Sequence, residues 1–200
     1  MAAAKDFVIL QGKTFGQLLR WEAPPIIYKP ITAITQTAPV GITSTAHGIP
    51  NGWRVAVVSV KGMVQINAPS SPPKDKDFRQ ATVVDANTVQ LNEVNAAEFK
   101  AYISGGYLQF NTPVDLAGFT ARMSIKDKIG GTELLRLDTT NNRIVIDNAA
   151  ETISLTIEAA TTEDITFKKG IYDLEMVSAS GVVTALLTGA ISVTREVTTT

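Results

Sequence analysis

Polar and apolar residues alternate along much of this chain with a period of two. From 119 to 126, Phe119, Ala121, Met123 and Ile125 fall on one side and Thr120, Arg122, Ser124 and Lys126 on the other. That is the signature of a strand with one buried face. Ile153-Ser154-Leu155-Thr156-Ile157 repeats it more cleanly. Glu133–Leu137, Arg143–Asp147, Tyr172–Val177, Val182–Leu187 and Ile191–Val197 complete a ladder broken by turn residues at Gly130-Gly131, Asn141-Asn142 and Ser180-Gly181. Short strands at this spacing predict a two-sheet sandwich. A single helical turn is expected from Thr161-Thr162-Glu163-Asp164, with Thr161 or Thr162 as N-cap.

Towards the N-terminus, Phe7–Leu10 and Thr14–Trp21 read as strands. Prolines at 24, 25 and 30 make Glu22–Pro30 an extended connector. A middle block from 31 to 108 carries strand-like pieces at 31–36, 41–45, 53–60, 80–85 and 88–92, closed by 102–108. Asp85-Ala86-Asn87 predicts a tight hairpin. Ala68–Asp77 is a proline-rich loop that cannot be a central strand. Asn95–Lys100 has room for one helical turn. The tail Thr198-Thr199-Thr200 is polar and reads as loose.

Composition narrows the chemistry. The 200 residues suffice for a core without covalent staples, and cysteine is absent. There is then no disulfide framework, thiolate zinc site or cysteine nucleophile. With 18 basic and 19 acidic residues the net charge is −1, so nothing neutralises a phosphate backbone and no nucleic-acid partner is expected. The start lacks the pattern of a signal peptide, and apolar runs such as Val55–Val58 fall far short of the ~20 residues that span a bilayer. A soluble protein without a membrane partner is expected.

The stretch from Thr43 to Asn67 holds the only histidine, His47, and one of two tryptophans, Trp53. An imidazole there has the chemistry of a general base, but no serine, acid or second histidine accompanies it in a recognisable motif. Gly48, Pro50 and Asn51-Gly52 make the local pattern that of a turn feeding a strand. Asp138 and Asp147, and Asp75 and Asp77, are candidate carboxylate pairs for glycoside hydrolysis or calcium, set against their ordinary role as turn formers. Ser104-Gly105-Gly106 and Ile129-Gly130-Gly131-Thr132 precede no helix and read as β-turns rather than phosphate cradles. Trp21, Trp53, Tyr28, Tyr102 and Tyr107 are candidates for sugar stacking or for an interface, against plain core packing. No catalytic, cofactor or metal site is assigned.

Several segments together resemble structural proteins of tailed bacteriophages and prophages. They are Asp6-Phe7-Val8, Gln11-Gly12-Lys13-Thr14-Phe15, Leu19-Arg20-Trp21, and Pro113-Val114-Asp115-Leu116-Ala117-Gly118-Phe119-Thr120-Ala121-Arg122-Met123. Gly170-Ile171-Tyr172-Asp173-Leu174-Glu175 and the hairpin-like Gly181-Val182-Val183-Thr184-Ala185-Leu186-Leu187-Thr188-Gly189 close the pattern. Ala117 and Phe119 depart from it, where Thr and Tyr are commoner.

The middle block, through Thr43–Gly52, Gly62-Met63, Asn67 and Ser104-Gly105-Gly106, is similar to a small β module of phage tail proteins. That module is often likened to a half-domain of ubiquitin-activating enzymes, a likeness without ubiquitin chemistry in a chain without cysteine.

The resemblance implies an all-β fold: a discontinuous immunoglobulin-like β-sandwich from 1–30 and 109–200, with a small barrel-like β domain inserted at 31–108. It further implies a non-enzymatic, multi-copy virion component of tail, baseplate or fibre attachment, assembled in the host cytoplasm. The implied partners are other virion proteins and copies of itself. The alternatives are a neck or capsid decoration protein and a carbohydrate- or receptor-binding module using Trp53, Tyr102, Tyr107 and the loop Pro69–Phe78.

Overall fold

The computed structural model describes residues 2–195; the expected end of the last strand at Val197 and the tail Thr198–Thr200 lie outside the described residues. The chain is all-β apart from short helical turns. In order it forms β1 (Ala3–Ala4), β2 (Phe7–Leu10), β3 (Phe15–Leu19), β4 (Glu22–Pro30), β5 (Ala33–Ile34), β6 (Val40–Thr43), β7 (Arg54–Lys61), β8 (Arg79–Asp85) and β9 (Thr88–Leu91). Then follow β10 (Ser104–Pro113), β11 (Thr120–Lys126), β12 (Glu133–Asp138), β13 (Ile144–Asp147), β14 (Thr152–Ile157), α1 (Ala159–Glu163), β15 (Lys169–Val177) and β16 (Val183–Thr194). Two compact units result: Met1–Trp21 with Asp115–Thr200, and Glu22–Val114.

The first unit has two sheets. One runs β1-β16-β15-β11-β12, with β2 also on β16, and the other runs β13-β14-β3. β2 pairs in parallel with the C-terminal strand, Phe7 opposite Ile191. The two sheets share a core: Phe7 stacks on Tyr172 of its own sheet at 5.2 Å between ring centres and meets Phe15 of the other edge-on at 5.5 Å. Ala121, Met123 and Ile125, and Ile153, Leu155 and Ile157, turn inward as their alternation requires.

β16 is one continuous strand, not a hairpin and a separate strand. Gly189 lies within it, opposite Tyr172. A side chain at Gly189 would overlap the backbone carbonyl of Lys5, so the glycine permits a close crossing rather than a turn. α1 also starts earlier than expected. Its N-cap is Glu158, without a side-chain bond, and Thr162 lies inside, its hydroxyl placed against the carbonyls of Lys13 and Ala159.

The second unit is a single open sheet, β4-β10-β7-β8-β9-β6-β5. Among the described residues no sheet closes into a barrel. The edge strands β4 and β5 are not paired with each other, and β7 joins β8 through only Arg54 opposite Gln80 and Val55 opposite Arg79.

Glu22–Pro30 is a strand rather than a connector, antiparallel to β10 from Glu22–Pro113 to Pro30–Tyr107. Its prolines are tolerated because β4 is an edge strand, and Pro24 and Pro25 fall where the register slips beside Asn111 and Thr112. The boundaries of this unit therefore lie at 22 and 114 rather than at 31 and 108. Gly105 and Gly106 open β10 instead of forming a turn; a side chain at Gly106 would strike Val60. Asn95–Lys100 makes a hydrogen-bonded turn, Phe99 N–H to Ala96 O at 3.1 Å, and no helix.

Tyr172 supplies a pH-dependent term in the first unit. Its hydroxyl donates to Lys5 O at 2.6 Å, and burial, with Asp6 nearby, pushes its pKa up to about 12. An unfolded tyrosine ionises near pH ~10. The folded state holds the proton more tightly, so this stabilisation is present below pH ~10 and is lost as pH rises towards 12. Urea-unfolding midpoints of wild type should fall more steeply across that window than those of Tyr172→Phe; parallel curves contradict the assignment.

Candidate functional site

The stretch 43–67 folds against the hairpin turn Asp85-Ala86-Asn87. Ser44 N–H donates to Asn87 O at 2.8 Å, Ala46 N–H to Asn87 Oδ1 at 2.9 Å, and His47 N–H to Ala86 O at 3.2 Å. The His47 ring is 2% exposed. Its Nδ1 accepts the Ile49 N–H at 2.9 Å, and its Nε2 lies 2.9 Å from Asp85 O. The first bond needs a bare Nδ1 and the second a protonated Nε2, so geometry selects one neutral tautomer with both nitrogens engaged by backbone. No lone pair is left to take a substrate proton.

Three further side chains of this stretch work in the same way, while the buried Ser44 hydroxyl has no partner among the described residues. The Asn67 amide pairs with both backbone groups of Val60, at 2.8 and 3.0 Å, beside the positive φ of Ser59. Asn51 Oδ1 accepts the Val83 N–H at 3.0 Å. Trp53 is wholly buried in the core, and its Nε1 donates to Asn111 O at 3.1 Å.

The candidate acids are structural too. Asp138 accepts from the Thr140 hydroxyl, Arg136 Nε and the backbone N–H groups of Thr140 and Asn141, which hold its carboxyl well below the usual range. Asp147 accepts from the N–H groups of Ala149 and Ala150. Asp77 accepts the Lys74 N–H at 2.9 Å, which lowers its pKa. Asp75 contacts Arg54 at 3.1 Å; Arg54 in turn forms a two-pronged pair with Glu22 at 2.6 and 2.8 Å and lies over the Phe78 ring. The Glu22 bonds raise the Arg54 pKa. Among the described residues no group of three or more His, Asp or Glu side chains is placed to hold a metal ion.

Compared with protein-family models and with curated proteins, the chain matches none. Among the described residues, no helix is long and apolar enough to cross a membrane.

The aromatic candidates divide. Trp53 is internal, Trp21 meets Phe119 edge-on at 5.7 Å, and the Tyr102 hydroxyl reaches the carbonyls of Ile31 and Gly105. Tyr28 and Tyr107 remain outside, 52% and 42% exposed, with ring centres 6.2 Å apart and edge-on. Alternation puts them on the outer face of β4-β10-β7, where Tyr28 is opposite Gln109 and Tyr107 opposite Val58. The loop after Asn67 folds beside this face, tied by Ala68 N–H to Val57 O at 2.7 Å, and borders an open groove of about 480 Å³.

Gln109 lines that groove, and the sequence reading missed it because the expected strand ended at Leu108. Its signal was the alternation Tyr107, Gln109, Asn111, visible once β10 is continued to Pro113.

Replacing His47 tests its structural role. His47→Ala strands the Ile49 N–H and the Asp85 carbonyl and should cost roughly 2–4 kcal/mol in urea unfolding. His47→Asn can still accept from the N–H two residues on and should recover about half of that. Equal stability of His47→Ala and wild type contradicts the reading.

Proposed function

We propose that this chain is a non-enzymatic structural component of a tailed-phage particle, a multi-copy tail, baseplate or fibre-attachment subunit that binds neighbouring virion proteins and copies of itself. The first unit is, in this reading, an immunoglobulin-like sandwich. The sequence resemblance motivates the proposal, and the backbone bonds that engage His47 and Asp147 support it.

The observation that carries it is the state of the sheet edges in the first unit. β2, β3 and β13 are edge strands, and they display exposed Val8 and Leu10, Leu18, and Val145. Solitary proteins protect such edges with charge, proline or bulges. Apolar side chains on open edges suit strands that neighbouring subunits cover by edge pairing and apolar burial.

The test is sedimentation of particles from cells carrying the gene. The chain should travel with intact tailed particles in several copies each. Val8→Lys with Leu18→Lys should abolish incorporation while leaving thermal unfolding of the isolated chain unchanged. A chain that never accompanies particles, or whose incorporation ignores both lysines, overturns the proposal.

A further inference from the structure

The groove on the outer face of β4-β10-β7 contains a polar group, the Gln109 carboxamide. Gln109 is only 5% exposed, and its side-chain amide, which is not among the sealed-off unpaired groups of the fold, lines the groove. A carboxamide there offers two donors and an acceptor to a molecule in the groove. Nearby amides are engaged by the fold: Asn67, also in the groove wall, is locked onto Val60, and Asn111 donates to Glu22 at 2.8 Å. Gln109 is thus set apart from the residues that repair the backbone.

We propose that this groove binds a neutral saccharide, with Tyr28 as the stacking platform and the Gln109 amide as the group that reads hydroxyls. The walls are Tyr28, Val58, Ser70, Pro72 and their neighbours, and no carboxylate, ammonium or guanidinium lines them. A charged ligand would find no counter-charge there, whereas an uncharged one loses nothing. The C–H face of a pyranose is apolar and suits the exposed Tyr28 ring, which Tyr107 buttresses edge-on.

Adjacent sugar hydroxyls both donate and accept, so they satisfy both halves of the Gln109 amide. The Ser71 hydroxyl, also in the lining, adds a further partner, while that of Ser70 is engaged by Asp77. At about 480 Å³ the groove falls within the ordinary size of small-ligand clefts, with room for a short oligosaccharide. A polyproline peptide could also lie against tyrosine, but its proline nitrogens carry no hydrogen. It would offer only carbonyls and leave the Gln109 oxygen unbonded. The site goes beyond the architectural role and does not depend on it, because particle incorporation and sugar binding are read separately.

The experiment is ligand-observed NMR on the full chain with maltotriose, cellotriose and chitotriose, and with hexaproline as the competing class. At least one trisaccharide should bind with a Kd of about 1 mM or tighter. Binding should weaken about ten-fold or more in Tyr28→Ala and in Gln109→Met. The Gln109 side-chain amide signals of wild type should shift on saturation, a readout that holds even if Gln109→Met does not fold. Absence of trisaccharide binding at about 10 mM, binding that ignores Tyr28→Ala, unmoved Gln109 amide signals, or hexaproline taking the groove instead overturns the proposal.

Discussion

The 22–114 unit depends on one constraint: every buried backbone N–H and carbonyl must find a partner although the sheet ladder is broken in several places. β7 meets β8 over only two residue pairs, β4 slips register beside its prolines, and Ser59 within β7 has a positive φ. Side chains make good the deficit. Asn67 stands in for a strand beside Val60, Asn87 holds the backbone at Ala46, and the His47 ring bridges Ile49 and Asp85.

The same accounting separates residues with work to do outside the chain from those without it. His47, Asn51, Asn67 and Trp53 end on backbone groups of their own unit. Asp138 and Asp147 hold turns. Two kinds of group among the described residues point to an outside partner. One is apolar: Val8, Leu10, Leu18 and Val145 on open strand edges. The other is the Gln109 amide under Tyr28 in a groove without charge. The first kind suits assembly with other subunits and the second a small uncharged ligand.

Much of the strand pattern was legible from alternation, because a half-buried strand must place its apolar residues two apart. Phe119–Ile125 and Ile153–Ile157 show this directly. Elements set by distant partners were harder to read. Glu22–Pro30 looked like a connector because proline disfavours central strands, and only its edge position beside β10 makes it a strand. A break was expected between Val182–Leu187 and Ile191–Val197, because nothing local announces that Lys5 crosses at Gly189. The turn role of His47 was legible from its glycine- and proline-rich surroundings. The groove was not, because it joins Tyr28 to Gln109 and to a loop near Ser70, three segments far apart in sequence.

The account turns on the His47 ring being a backbone clamp rather than a chemical group, and its tautomer tests this most directly. Long-range 1H–15N correlation of the single imidazole should show an unprotonated Nδ1, a protonated Nε2 and a slowly exchanging Nε2 proton, as the Ile49 and Asp85 bonds require. A protonated Nδ1, a mixture of tautomers, or rapid exchange of the ring proton with solvent would contradict it.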